Sequence, residues 1–137
     1  MIIRESGFGD RRGTTVVECA VVYPLTMMLL LGTIIMGLGI FRYEQLQSLA
    51  REGARYASVH GPAYAASTGN AQASTSTVLT YLDGLAVGIN GFECTSVSYS
   101  ATSLPCTVSV TLSYTWNPES YFSSMTWTPT STMAVTY

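Results

Sequence analysis

From Ala20 to Phe41 the chain runs for 22 residues without a single charged side chain. About 20 apolar residues are enough for a helix to cross the hydrocarbon core of a bilayer, so this run is read as a transmembrane helix. A buried helix of a soluble domain rarely stays free of charge over such a length. A secretory signal peptide also pairs a charged start with an apolar run, but its apolar part is about 7 to 15 residues and ends at a small-residue cleavage site. Here the run passes straight into further helical pattern, and the segment is expected to stay in the mature chain.

Beyond Phe41, Leu46, Leu49, Ala50, Gly53, Ala54 and Ala57 recur at spacings of three and four, one stripe of an amphipathic helix. Gln45, Ser48, Glu52 and Arg55 fall on the other side. His60-Gly61-Pro62 is a stop signal. The helix is therefore expected over residues 14–59, roughly 69 Å at about 1.5 Å per residue, with a kink at Pro24.

The distal part has a different character. The stretch from Ala63 to Ser76 is rich in Ala, Ser, Thr and Gly and reads as a loop. A helix carrying Val78, Leu79, Leu82, Leu85 and Ala86 follows, with its end at Gly88 or Asn90-Gly91. The period then changes to two. Cys106, Val108, Val110, Leu112, Tyr114 and Trp116 alternate with Thr107, Ser109, Thr111, Ser113 and Thr115, which marks a half-buried strand. Residues 92–101 and 130–137 are its expected partners. The fold class is α+β: a long N-terminal transmembrane helix, then a small head of one helix packed on an antiparallel sheet, with at least three strands needed for stability. The expected division is a leader at 1–13, the helix at 14–59 and an exported head at 60–137.

Charge narrows the function classes. Only 10% of residues are charged and the mean hydropathy is +0.29, whereas soluble domains are about one-quarter charged. After Arg55 the only formal charges are Asp83, Glu93 and Glu119. Nucleic-acid binding depends on neutralising phosphates with Lys and Arg, so the distal half is not expected to bind nucleic acid. The chain holds one histidine, His60, and no zinc-ligand cluster, phosphate loop or nucleophile elbow. It is expected to be neither an enzyme nor a cofactor or metal protein.

Glu18 stands close to the start of the apolar run, where a carboxylate costs about 2.5 to 3.5 kcal/mol at mid-helix and less near the interface. It could remain hydrated at the membrane edge. Yet Asp10-Arg11-Arg12-Gly13 precedes Thr14-Thr15-Val16-Val17-Glu18, and the pattern resembles the type IV prepilin leader. In that superfamily a membrane aspartic protease cuts after a glycine that follows a basic leader, and the fifth mature residue is glutamate. The resemblance implies cleavage between Gly13 and Thr14, with Glu18 paired to a free α-amino group, on a neighbouring subunit, during assembly. A protonated amine within a few Å would stabilise the ionised carboxylate in a poorly hydrated place.

The resemblance narrows to the TadE-like minor pilins of tight-adherence (Flp) pilus systems. It is carried by Arg12-Gly13, Val17-Glu18, Pro24 and above all Leu49-Ala50-Arg51-Glu52-Gly53-Ala54-Arg55-Tyr56-Ala57. The pattern Val108-Ser109-Val110-Thr111-Leu112-Ser113-Tyr114, with Thr132-Met133-Ala134-Val135 later, is similar but less specific. Cys19 departs from the aromatic or alanine expected there. It is not read as a lipoprotein cysteine, because the hydrophobic run follows it.

What the resemblance implies is a minor pilin or pseudopilin that takes part in pilus assembly and surface adhesion. Its partners would be a prepilin peptidase, other pilin subunits, the pilus assembly platform and membrane lipid. The alternative is a static single-pass membrane protein whose head binds a secretion-machinery or envelope partner. Localisation is expected at the bacterial inner membrane, with the head outside the cytoplasm. Three arginines precede the span and three follow it, so the positive-inside count alone does not orient it.

Two further pairs are candidates. Arg51 and Arg55, four apart on one helix face, either are solvated or meet acidic groups of neighbouring subunits or lipid headgroups. Cys94 and Cys106 form a candidate disulfide, since an exported head meets oxidising conditions. A simple hairpin between 92–101 and 106–116, however, would set Cys94 against about Thr111.

Overall fold

A computed structural model describes residues 12–118 and 123–136. Contacts divide the chain into two compact units, Met1–Gly37 and Leu38–Tyr137. The division falls inside the first helix, α1 (Arg12–Val59).

In the first unit α1 continues through Pro24 without a break. Its large apolar side chains are exposed all round, from Val16 and Val17 through Leu25, Met28 and Leu31 to Met36. The hydroxyls here are satisfied by the helix itself: Thr26 donates to the Val22 carbonyl at 2.8 Å and Thr33 to that of Leu30 at 2.8 Å. Such back-bonding removes the cost a bare hydroxyl carries where water is absent.

The second unit is built on the remainder of α1. Leu46, Leu49, Ala50, Gly53, Ala54 and Ala57 are buried, the stripe expected from the spacing. Two short helices follow, α2 (Pro62–Thr68) and α3 (Thr75–Leu85). The first corrects the expected loop over 63–76. Gly61 acts as N-cap and Pro62 opens the helix, where its missing N–H costs nothing, so the same Gly-Pro pair that stops one helix starts the next. Ser74 caps α3 in a reciprocal box with Thr77. This helix ends at Leu85, short of the expected glycine stops, and Gly88 and Gly91 shape the turn that follows.

Among the described residues four strands complete the head: β1 (Phe92–Tyr99), β2 (Thr107–Trp116), β3 (Met125–Trp127) and β4 (Thr130–Ala134). All pair antiparallel to β2, with β1 on one side. On its other side β3 faces Tyr114–Trp116 and β4 faces Thr107–Thr111, so two short strands share one edge. Between them Pro129 has no N–H to give, yet its carbonyl accepts from the Leu112 N–H at 3.0 Å. The alternation in β2 is as read: Val108, Val110, Leu112 and Tyr114 are buried, and Thr107 and Thr115 are exposed. In β1 a register shift between Cys94 and Ser96 reverses the phase. Phe92 and Cys94 before it, and Val97 and Tyr99 after it, all join the core cluster.

Candidate functional site: the Gly13–Val59 segment

The expected cleavage and assembly residues stand at the start of α1. Gly13 and Glu18 are exposed, Cys19 is half-buried, and residues 1–11 of the expected leader lie outside the described residues. Thr14 belongs to the helix, four positions before Glu18. Apolar neighbours Val16, Val17, Val21 and Val22 are each more than half exposed. Glu18 therefore sits on a helix whose surroundings would be apolar once it is covered by lipid or by other helices.

Among the nine residues from Leu49 to Ala57 two sets stand out, with Glu52 and Tyr56 half-buried between them. Leu49, Ala50, Gly53, Ala54 and Ala57 are buried and pack α1 into the head. At Gly53 α1 meets both α3 and β2. A Cβ there would lie 3.2 Å from Leu82 Cδ1, 3.3 Å from Val78 Cγ1 and 3.4 Å from Val110 Cγ1. The small residues thus have a packing reason within this chain.

Arg51 and Arg55 form the other set, both exposed on the outer face of α1. Arg51 Nη2 donates to Gln47 Oε1 at 3.3 Å. Arg55 lies with Glu52, Tyr56, His60 and Tyr81 along a shallow open cleft. Tyr56 stacks on His60 at 4.2 Å and on Tyr81 at 4.5 Å between ring centroids, tying the end of α1 to α3. His60 Nδ1 donates to the Tyr56 carbonyl at 3.0 Å. At the same end, the Tyr99 hydroxyl donates to the carbonyls of Ala57 at 3.0 Å and His60 at 3.3 Å. Burial, and then the nearby Cys106, push the Tyr99 phenol above its ordinary value. The Tyr56–Tyr81 and Tyr99 contacts were not foreseen, because each joins residues of different elements, whereas Tyr56 and His60 stand four apart at the end of one helix.

The candidate disulfide is corrected. Cys94 and Cys106 are free thiols. Cys94 faces Leu112 across the sheet, six residues along β2 from Cys106. At about 3.4 Å per residue that is roughly 20 Å, far beyond the 4.4–6.8 Å between Cα atoms that a bridge tolerates. Burial pushes the Cys94 thiol above its ordinary value.

Residues 13–55 match the family model described as TadE-like protein. This segment is TadE-like. It is the family to which the motifs pointed, and the match runs from the expected cleavage glycine to the second arginine of the Arg51/Arg55 pair. The sheet lies wholly outside it. No curated protein and no solved structure matches the chain. The TadE-like segment coincides with α1, the one helix among the described residues long and apolar enough to cross a membrane. That combination is the pattern of a single-pass membrane protein.

Proposed function

We propose that the chain is a minor pilin or pseudopilin that takes part in assembling a tight-adherence pilus, and through it in surface adhesion. The observation that carries this reading is the TadE-like match over 13–55, which holds Gly13 and Glu18 directly ahead of the charge-free apolar run. In this reading a prepilin peptidase cuts between Gly13 and Thr14. The freed α-amino group then pairs with the Glu18 carboxylate of another subunit. An ion pair of that kind gains strength where water is excluded, and an unpaired carboxylate there is costly. Assembly would cover the exposed apolar side chains of the first unit with those of neighbouring subunits.

Before assembly the subunit would wait in the bacterial inner membrane with its head outside the cytoplasm. The Ser- and Thr-rich, nearly uncharged head suits that exported position. Its partners would be the peptidase, other pilin subunits, the assembly platform and lipid. Binding and assembly, not catalysis, would be its work.

The test is the N-terminus of the protein recovered from membranes with and without a co-expressed prepilin peptidase. The expected result is a Thr14 N-terminus only when peptidase is present, and its loss in Gly13→Ala. An unchanged N-terminus in both conditions contradicts the pilin mechanism and favours a static membrane anchor with a partner-binding head.

A further inference from the structure

Where the charge-free run ends, the head presents aromatic side chains. Gly39 lies within the last turn of that run, and the Trp116 ring is packed against it. A Cβ on Gly39 would come within 2.9 Å of Trp116 Cζ3 and 3.1 Å of Cη2, so the indole occupies the space a side chain would need. Trp116 stacks on Trp127 at 5.4 Å, and Tyr43 meets Trp127 edge-on at 5.9 Å. Arg42, the first charge after the run, donates from Nη1 to the Tyr114 hydroxyl at 2.9 Å. The two tryptophans are only partly buried, and Ile40, Phe41 and Met125 are more than half exposed.

We propose that this aromatic end of the sheet, Trp116 and Trp127 with Tyr43 and Arg42, lies in the lipid headgroup layer and seats the head on the membrane surface. Tryptophan and tyrosine favour that layer because their rings are apolar and their N–H or O–H groups are polar. Arginine suits it too, with an apolar stem and five donors, of which Tyr114 takes one. Continuity identifies lipid as the occupant. The same helix that places Gly39 and Phe41 at the end of a membrane-length run holds Trp116 in contact, so the ring and the edge of the hydrocarbon share one level. An ordinary soluble core would bury these rings, as it buries Leu112 and Phe92.

The inference rests on α1 crossing the membrane, and one experiment separates the two. Trp116 and Trp127 are the only tryptophans in the sequence, so intrinsic fluorescence reports this surface alone. The full chain is reconstituted into phosphatidylethanolamine/phosphatidylglycerol vesicles carrying doxyl quenchers near the headgroups or near the chain ends, and floated. Emission from the floated protein is expected to be quenched roughly twofold more by the shallow probe than by the deep one, as interfacial placement requires. Trp116→Phe and Trp127→Phe should each leave a remaining tryptophan with the same shallow preference. Floated protein quenched by aqueous iodide but by neither lipid probe overturns the interfacial placement while leaving the span intact. Protein that does not float overturns both.

Discussion

The two parts of α1 are one helix with two kinds of surface. Before Leu38 its large apolar residues are exposed all round; Leu30, for example, is 52% exposed. Beyond it the apolar stripe from Leu46 to Ala57 is buried, with Leu46 fully enclosed, while Ile40, Phe41 and Val59 stay exposed. The difference lies in who supplies the covering. The later part is covered by α3 and β2 of the same molecule, and its residues are small where those elements approach. The earlier part must be covered from outside, by lipid or by other helices, because an all-round apolar helix is not stable in water.

One substitution made in both parts gives the sharpest contrast. Leu46→Ala should cost about 3 kcal/mol of head stability, from lost burial and the cavity left behind. Leu30→Ala should change it by less than about 0.5 kcal/mol, since its side chain is exposed and lies outside the head's core cluster. Urea unfolding of the full chain in detergent, followed by tryptophan fluorescence, measures both. Equal effects would break the contrast.

Overfilling the contact at Gly53 comes next. Gly53→Leu should lose about 2 kcal/mol in the same assay, because Leu82, Val78 and Val110 leave no room beyond a Cβ. Gly37→Leu, which meets open space, should not.

The smallest effect concerns the anchor at the end of α1. Tyr99→Phe removes the hydroxyl that ties β1 to the Ala57 and His60 carbonyls and should cost about 1 kcal/mol. It should also change the alkaline behaviour. A phenol raised above its ordinary value of 10.0 in the folded head contributes stability that is present below that value and lost as pH rises through it. The wild-type chain should therefore lose stability above about pH 10, and Tyr99→Phe should lose less over the same range. Parallel profiles would remove Tyr99 from the account.

Much of this was legible in the chain. The membrane-length run, the stripe from Leu46 to Ala57, the stop at Gly61-Pro62 and the alternation of β2 depend on local periodicity, which burial enforces directly. The motif from Gly13 to Glu18 was equally visible, and the family match begins at the same glycine. What was missed depends on geometry that periodicity does not encode. The register shift beyond Cys94 breaks the alternation of β1, and β3 is only three residues long. The seven residues of α2 give no room for an apolar stripe to repeat. Arg42 and Tyr114 are 72 positions apart, so only the register of β2 against α1 brings them together. The candidate Cys94–Cys106 bridge failed for a reason the chain had shown: a simple hairpin sets Cys94 against about Thr111, and it pairs with Leu112, near the middle of β2, while Cys106 lies just before its start.

The central claim is that the earlier part of α1 is covered by membrane and the later part by the head. With the three native cysteines replaced by alanine, Leu30→Cys and Arg51→Cys each introduce one thiol at a position exposed in the isolated chain. Intact cells whose outer layers admit a membrane-impermeant maleimide to the inner membrane surface are then labelled. The account predicts that Arg51→Cys labels at once and Leu30→Cys only after the membrane is dissolved in denaturing detergent. Equal and immediate labelling at both positions would contradict it.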